Sequence, residues 1–236
     1  MRQVQHFFIE ASLEGDFVQI EDRELLRQMK DVLRFRKGEE CVLLDNRGHK
    51  AKAILEEFHS KGARFKIESR VSIQKPARTV RLYVAVSKKP ATLEWIFEKA
   101  TELGVTDLIP LDTERTQVHE LRKTERLHAI VKEASEQCER GMLPVIHPLL
   151  TFKDFIEHPP TGVLLAGDAW NYDKTLAEVL PSKNEDVNLV IGPEGGLSET
   201  ELADLRKRGA TLFLLGETVL RMETAVIAAL SLVQYA

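Results

Sequence analysis

From residue 80 to the end of the chain, short unbroken apolar runs alternate with stretches of helical periodicity. This alternation constrains the fold more than any other feature. The runs are Val80–Val86, Leu108–Leu111, Val145–His147, Val163–Ala166, Leu189–Ile191 and Leu212–Leu215. Strands that carry no polar alternation are buried on both faces, as in a parallel sheet covered by helices. Between them, Leu93, Ile96, Phe97, Ala100 and Leu103 mark one face of a helix that Gly104 stops. Residues Lys123–Arg140 read as a long charged helix. The predicted class is α/β with a mainly parallel sheet.

The pattern before residue 72 is different. Residues 2–10, 17–20, Cys41–Leu44, Ala51–Phe58 and Ala63–Glu68 read as short strands, with turns at Asp45-Asn46-Arg47-Gly48 and Ser60-Lys61-Gly62. Leu25, Leu26, Met29, Val32 and Leu33 have helical spacing, with Asp22 as cap and Gly38 as stop. Short strands and tight turns predict a small β-barrel. The boundaries drawn are 1–72 for the barrel and 73–236 for the α/β domain, with a Pro76-containing linker around residues 72–78.

Composition narrows the function. With 43% hydrophobic and 30% charged residues the chain is globular rather than disordered. A net charge of −4 excludes a uniformly basic nucleic-acid coat. A local patch remains: Arg27, Lys30, Arg34, Arg36 and Lys37 stand against Asp31 alone. Cys41 and Cys138 are too isolated for a metal cluster or a disulfide framework. No apolar run reaches the ~20 residues of a membrane span, and residues 1–6 lack the apolar core of a secretory signal. The expectation is a cytoplasmic protein with no membrane and no metal. Phosphate-loop, GxGxxG, HExxH, CxxC and GxSxG patterns are all absent, and the histidines are scattered.

Two loops carry the functional signal. In Ile191-Gly192-Pro193-Glu194-Gly195-Gly196 a buried strand runs into a glycine-rich turn, followed by a capping-box pattern at Ser198 and Glu201. Ligands of open α/β sheets bind beyond the carboxyl ends of the strands. Glu194 would repel phosphate, so the pattern predicts a phosphate-free ligand such as an adenosyl group. A tight turn with no ligand explains the same residues. The second loop runs from Leu215-Gly216 through Leu220-Arg221-Met222-Glu223 to Thr224-Ala225. Its apolar content predicts inward packing, with backbone groups left to pair with a heterocycle. A simple core plug is the alternative. Arg221 among apolar neighbours calls for a counter-charge, Glu223 for instance, or for an anionic substrate.

These loops occur in order with Lys99-Ala100-Thr101-Glu102-Leu103-Gly104-Val105, Glu114-Arg115-Thr116, and Glu133-Ala134-Ser135-Glu136-Gln137 with Arg140 and Pro144. In this combination the chain resembles the ribosomal RNA small subunit methyltransferase E family, uracil-N(3)-methyltransferases of the SPOUT superfamily. The resemblance covers about residue 80 to the end. It departs at Thr218, where a basic residue is usual, and at Thr116, where serine is more typical.

The resemblance implies a trefoil knot in the C-terminal domain and a PUA-like N-terminal barrel that binds RNA. It implies S-adenosylmethionine held by Ile191, Gly192, Pro193, Glu194, Gly195, Gly196, Leu215, Gly216, Leu220, Arg221, Glu223, Thr224 and Ala225. It implies methylation of a uridine in 16S ribosomal RNA, within the small ribosomal subunit, by a homodimer. Arg221 and Glu223 are the catalytic candidates, with Glu194 as a second possible proton acceptor. Arg27, Lys30, Arg34, Arg36, Lys37, Arg115 and Arg140 are the RNA-binding candidates. Open beside this reading stand methylation of a different RNA, a non-catalytic RNA-binding module, and a doubly wound oxidoreductase. The missing GxGxxG counts against the last.

Overall fold

The computed structural model describes residues 4–236. The chain forms two compact units: the residues up to Lys75 with Ser135–Leu143, and Pro76–Ala134 with Pro144–Ala236.

In the first unit, β1 (Gln5–Phe8), β2 (Phe17–Ile20), β3 (Glu40–Leu44), β4 (His49–His59) and β5 (Gly62–Ser72) form a sheet in the order β1-β3-β4-β5-β2. Residues 2 and 3 of the expected first strand lie outside the described residues. The β1–β3 pair is parallel and the others are antiparallel. Alternation turns Cys41, Leu43, Ala51, Ala53, Leu55 and Phe65 inward. Phe7 and Ile20, from the two edge strands, join the same core. All five strands therefore wrap one apolar interior.

The basic segment departs from simple helical periodicity. Helix α1 covers only Arg23–Arg27, capped by the Asp22 carboxylate, which accepts from the Glu24 and Leu25 amides. Gln28–Val32 continue as a π-helical turn. Arg34, with φ 55°, then turns the chain out of the helix, so the stop comes four residues before Gly38. Core packing is the cause. Met29 is fully buried, Phe35 packs edge-on against Phe7 at 6.0 Å, and both belong to the barrel interior.

The second unit is built on β6 (Val80–Ala85), β7 (Asp107–Asp112), β8 (Val145–Ile146), β9 (Leu150–Thr151), β10 (Val163–Gly167), β11 (Lys174–Thr175), β12 (Val187–Ile191) and β13 (Thr211–Leu214). They make one parallel sheet in the order β11-β13-β10-β12-β6-β7-β8, with β9 also on β7. The helices are α2 (Pro90–Glu102), α3 (Thr124–Gln137), α4 (Phe152–Glu157), α5 (Glu199–Lys207) and α6 (Met222–Tyr235).

The unbroken apolar runs are explained by two cores. Val80, Leu82, Val84, Leu189 and Phe213 point to the side covered by α2 and α6, where Ile96, Phe97, Val226 and Leu230 meet them. Tyr83, Val190 and Leu212 point to the opposite side, against Phe155 and Leu202 from α4 and α5. Each such side chain contributes about 1.5–3 kcal/mol on burial.

The charged helix is shorter than Lys123–Arg140, and Ser135–Leu143 group with the first unit. The Glu136 carboxylate accepts from the Phe8 amide at 2.9 Å, and the Asn46 side-chain carbonyl accepts from the Leu143 amide at 2.9 Å.

Candidate active site

Three loops leave the carboxyl ends of adjacent strands β12, β10 and β13. The loop after β12 is built around its glycines. A Cβ on Gly192 would lie 3.0 Å from Leu197 Cγ and 3.1 Å from the Leu197 nitrogen, so the absence of a side chain lets the loop fold closely on itself. The Gly196 amide donates to the Pro193 carbonyl at 2.8 Å, with Gly196 at φ 70°. The capping box at the start of α5 has both its halves: Ser198 Oγ accepts from the Glu201 amide, and Glu201 Oε2 from the Ser198 amide. Buried Glu201 also takes the Glu114 amide at 2.8 Å on Oε1. Arg115 Nη1 donates to the Gly195 carbonyl at 2.8 Å, and Ser87 Oγ donates to Glu194 Oε1 at 3.0 Å.

The loop after β13 is more open than its apolar composition predicts. Gly216 to Val219 are exposed, Val219 to 65%. Among the described residues, 216–220 make no backbone–backbone hydrogen bond. Their amides and carbonyls are free for a ligand, while the side chains of Thr218 and Val219 reach water as well as the cavity. Arg221 is exposed at the N-cap of α6. Among the described residues no ion pair joins it to Glu223, because a solvated guanidinium needs no counter-charge. Glu223 is half-buried in the first turn of α6.

The third loop, Gly167-Asp168-Ala169-Trp170 after β10, has no counterpart in the sequence reading. Asp168 is buried, and its Oδ1 accepts from the amides of Trp170 (2.9 Å) and Asn171 (2.6 Å). An aspartate directly after a strand, able to bond its own backbone two residues on, is the only signal that pointed there.

Together the loops enclose a cavity of about 320 Å³, within the range of small-molecule sites. Of the predicted cofactor residues, Ile191, Gly192, Pro193, Glu194, Gly196, Leu215, Leu220, Arg221 and Ala225 line it. Gly195, Gly216, Glu223 and Thr224 do not, although each is adjacent in sequence to one that does. The lining also includes Asp168 and Trp170, and Thr218 stands in the second loop's wall. Apolar walls, two carboxylates and a single guanidinium among the lining residues suit an uncharged or cationic nucleoside better than a dinucleotide.

The predicted RNA-binding residues divide. Arg27, Lys30, Arg34, Arg36 and Lys37 are all exposed in the first unit, with Lys30 over the Phe58 ring at 4.6 Å and Arg27 4.0 Å from Asp31. Arg115 is exposed but tied to the loop of Gly195. Arg140 is half-buried, its Nε donating to the Met142 carbonyl at 3.3 Å, and burial lowers its proton affinity. Thr116 is buried, its hydroxyl paired with that of Thr113 at 2.8 Å. Among the described residues no cluster of three or more His, Cys, Asp or Glu side chains is placed to hold a metal, and no helix is long and apolar enough to cross a membrane.

Residues 74–234 match the family model of the RNA methyltransferase domain, and residues 29–68 that of the RNA methyltransferase PUA domain. Fold and cavity thus define an RNA methyltransferase carrying a PUA domain. The chain is 34% identical over 87% of its length to the ribosomal RNA small subunit methyltransferase E of a Synechocystis species, covering 69% of that protein. With the enzyme of the same name from Rickettsia conorii it shares 27% identity, over 94% of this chain and 91% of the relative. A crystal structure of the Neisseria gonorrhoeae ribosomal RNA small subunit methyltransferase E, bound to S-adenosylmethionine, superposes with TM-score 0.86 at 26% identity, covering 97% of this chain and 95% of that one. The chain belongs to the ribosomal RNA small subunit methyltransferase E family.

Proposed function

We propose that this protein transfers a methyl group from S-adenosylmethionine to N3 of one uridine of 16S ribosomal RNA. The observation that carries the reading is the cavity at the ends of β10, β12 and β13, walled by the two loops that define the family pattern. The bound cofactor of the Neisseria relative supports it.

Ile191, Gly192, Pro193, Leu215, Leu220 and Ala225 are the residues that would hold the cofactor, through apolar contact and loop backbone. When bound, S-adenosylmethionine supplies an electrophilic methyl group on a sulfonium. The chain must do the rest. The uracil N3 proton has to leave before N3 can act as a nucleophile. Glu194 lines the cavity and Glu223, in the first turn of α6, does not, so Glu194 is the better placed proton acceptor and Glu223 the alternative. Arg221, exposed on the same wall, faces the negative charge that develops on the ring oxygens. Holding the ring and the methyl group in line supplies roughly 7–11 kcal/mol of the barrier.

The same reading includes several features of the molecule as a whole. The cofactor loops are part of a trefoil knot. Two copies form a homodimer, with α6 at its interface. The exposed cluster Arg27–Lys37 and Arg115 contact RNA phosphates. The domains divide at residues 72–73, and the protein works in the cytoplasm on the small ribosomal subunit. The test combines calorimetry of the full chain with S-adenosylmethionine and mass spectrometry of 16S ribosomal RNA from cells lacking the gene. Binding in the first and loss of a single methyluridine in the second are expected. A full complement of methyluridines in the deletion strain would refute the assignment.

A further inference from the structure

Trp170 is 67% exposed, yet it stands on a loop that is held at several points. Upstream, buried Asp168 takes the Trp170 and Asn171 amides on one carboxylate oxygen. Downstream, Asp173 accepts from the Leu212 amide at 2.9 Å and from Arg206 at 3.0 Å, while Arg206 also donates to the Asn171 carbonyl at 2.7 Å. The Asp173 amide in turn donates to the Leu212 carbonyl at 2.8 Å. The indole lines the cavity and lies over Gly196: a Cβ built there would be 3.8 Å from Trp170 Cζ3. An apolar ring kept in water on a braced loop is a platform without a cover. It stands among the residues that line the cavity, beside the glycine-rich loop after β12.

We infer that Trp170 is a base-stacking residue, on whose indole face a single-stranded RNA base rests as uridine is presented to the cavity. Proteins that take unstacked bases replace the lost stacking with aromatic faces. The ring would act on substrate positioning, not on proton transfer. This inference rests on the methyltransferase reading above.

The chain has two tryptophans, Trp95 and Trp170, so Trp95→Phe leaves Trp170 as the only indole. In that background, titration with oligouridylate is expected to quench the fluorescence. Trp170→Ala is expected to raise the Kd and KM for 16S ribosomal RNA about ten- to a hundredfold. Its kcat at saturating RNA should change far less, and its Kd for S-adenosylmethionine less than about twofold. Trp170→Phe should recover most of the RNA affinity, since a phenyl face still stacks. Weaker S-adenosylmethionine binding with unchanged RNA affinity would overturn the inference and make the indole a cofactor wall. Dissociation of an oligomer by Trp170→Ala, again with unchanged RNA affinity, would overturn it in favour of a subunit contact. If the wild-type protein bound no S-adenosylmethionine by calorimetry, the methyltransferase reading would fall instead. The quench by oligouridylate would still report on Trp170 in that case.

Discussion

Ser87 Oγ donates a 3.0 Å hydrogen bond to Glu194 Oε1 across a sequence separation of 107 residues. Ser87 is buried just beyond β6, and its hydroxyl also accepts from the Lys89 amide at 3.3 Å. The bond holds an otherwise exposed carboxylate at the wall of the cavity, the position proposed above for the proton acceptor.

Glu194→Gln keeps the shape and removes the basicity. Its kcat should fall by about 10²–10⁴, the usual contribution of a general base. Ser87→Ala should cost about ten- to a hundredfold, the worth of one hydrogen bond to a charged group. Ser87→Thr should restore most of that loss. Steady-state methylation assays across pH decide the matter, and wild-type turnover by Glu194→Gln at every pH would transfer the role to Glu223.

Arg221→Ala should lower kcat/KM by about 10²–10³. The Kd for S-adenosylmethionine should stay within a few-fold. Because the side chain is exposed, stability should change by no more than about 0.5 kcal/mol. Arg221→Lys should fail to rescue, since an ammonium lacks the planar fork. Parallel calorimetry, assays and urea titrations separate these effects, and a kcat/KM equal to wild type would remove Arg221 from the mechanism.

Gly192→Ala forces its new methyl to 3.0 Å from Leu197 Cγ and 3.3 Å from the Gly196 carbonyl carbon. Leu197 and the Gly196 backbone should give by a few tenths of an ångström, at a cost of roughly 1–3 kcal/mol. Cofactor affinity should drop at least tenfold together with a lower thermal midpoint. Calorimetry showing native affinity would mean that the loop reshapes without touching the cavity.

Acid should destabilise the second unit through two carboxylates. The Thr79 amide, 2.7 Å away, is the main reason Asp186 titrates below the usual aspartate range. For Asp173 the Leu212 amide does the same, with help from Arg206. A carboxyl with a lowered folded-state pKa leaves the unfolded chain binding more protons in the window between the two values. The stability is therefore present above about pH 3.9, the ordinary aspartate value. It is lost as pH falls toward the lower folded-state pKa values. Urea midpoints between pH 6 and pH 2.5 should decline, and Asp186→Asn should flatten the decline. An unchanged slope in that variant would show that the Thr79 contact carries no linkage.

The α/β architecture was legible in the amino-acid order. Strand β6 is an apolar run because Val80, Leu82 and Val84 meet one layer of helices and Tyr83 the other. Ser198 and Glu201 announced the start of α5, since a capping box needs only residues three apart. The π-helical turn and the left-handed Arg34 were not legible. Met29 and Phe35 had to reach a core whose other members are distant in the chain.

The candidate site divides along the same line. Glycines and apolar residues in the loops after β12 and β13 marked two walls of the cavity, because tight backbone turns demand particular residues locally. Side-chain exposure was decided by tertiary structure. Val219 and Arg221 face water despite an apolar context, and Arg140 is half-buried despite its charge. Trp170 and Ser87 joined the site only when the parallel order β13-β10-β12-β6 brought four strand ends to one rim. Local chemistry wrote the turns and the periodicity into the chain. Which distant groups came within 3 Å of one another depended on strand order, because non-local pairing is settled by burial of the whole core and not by any neighbouring residue.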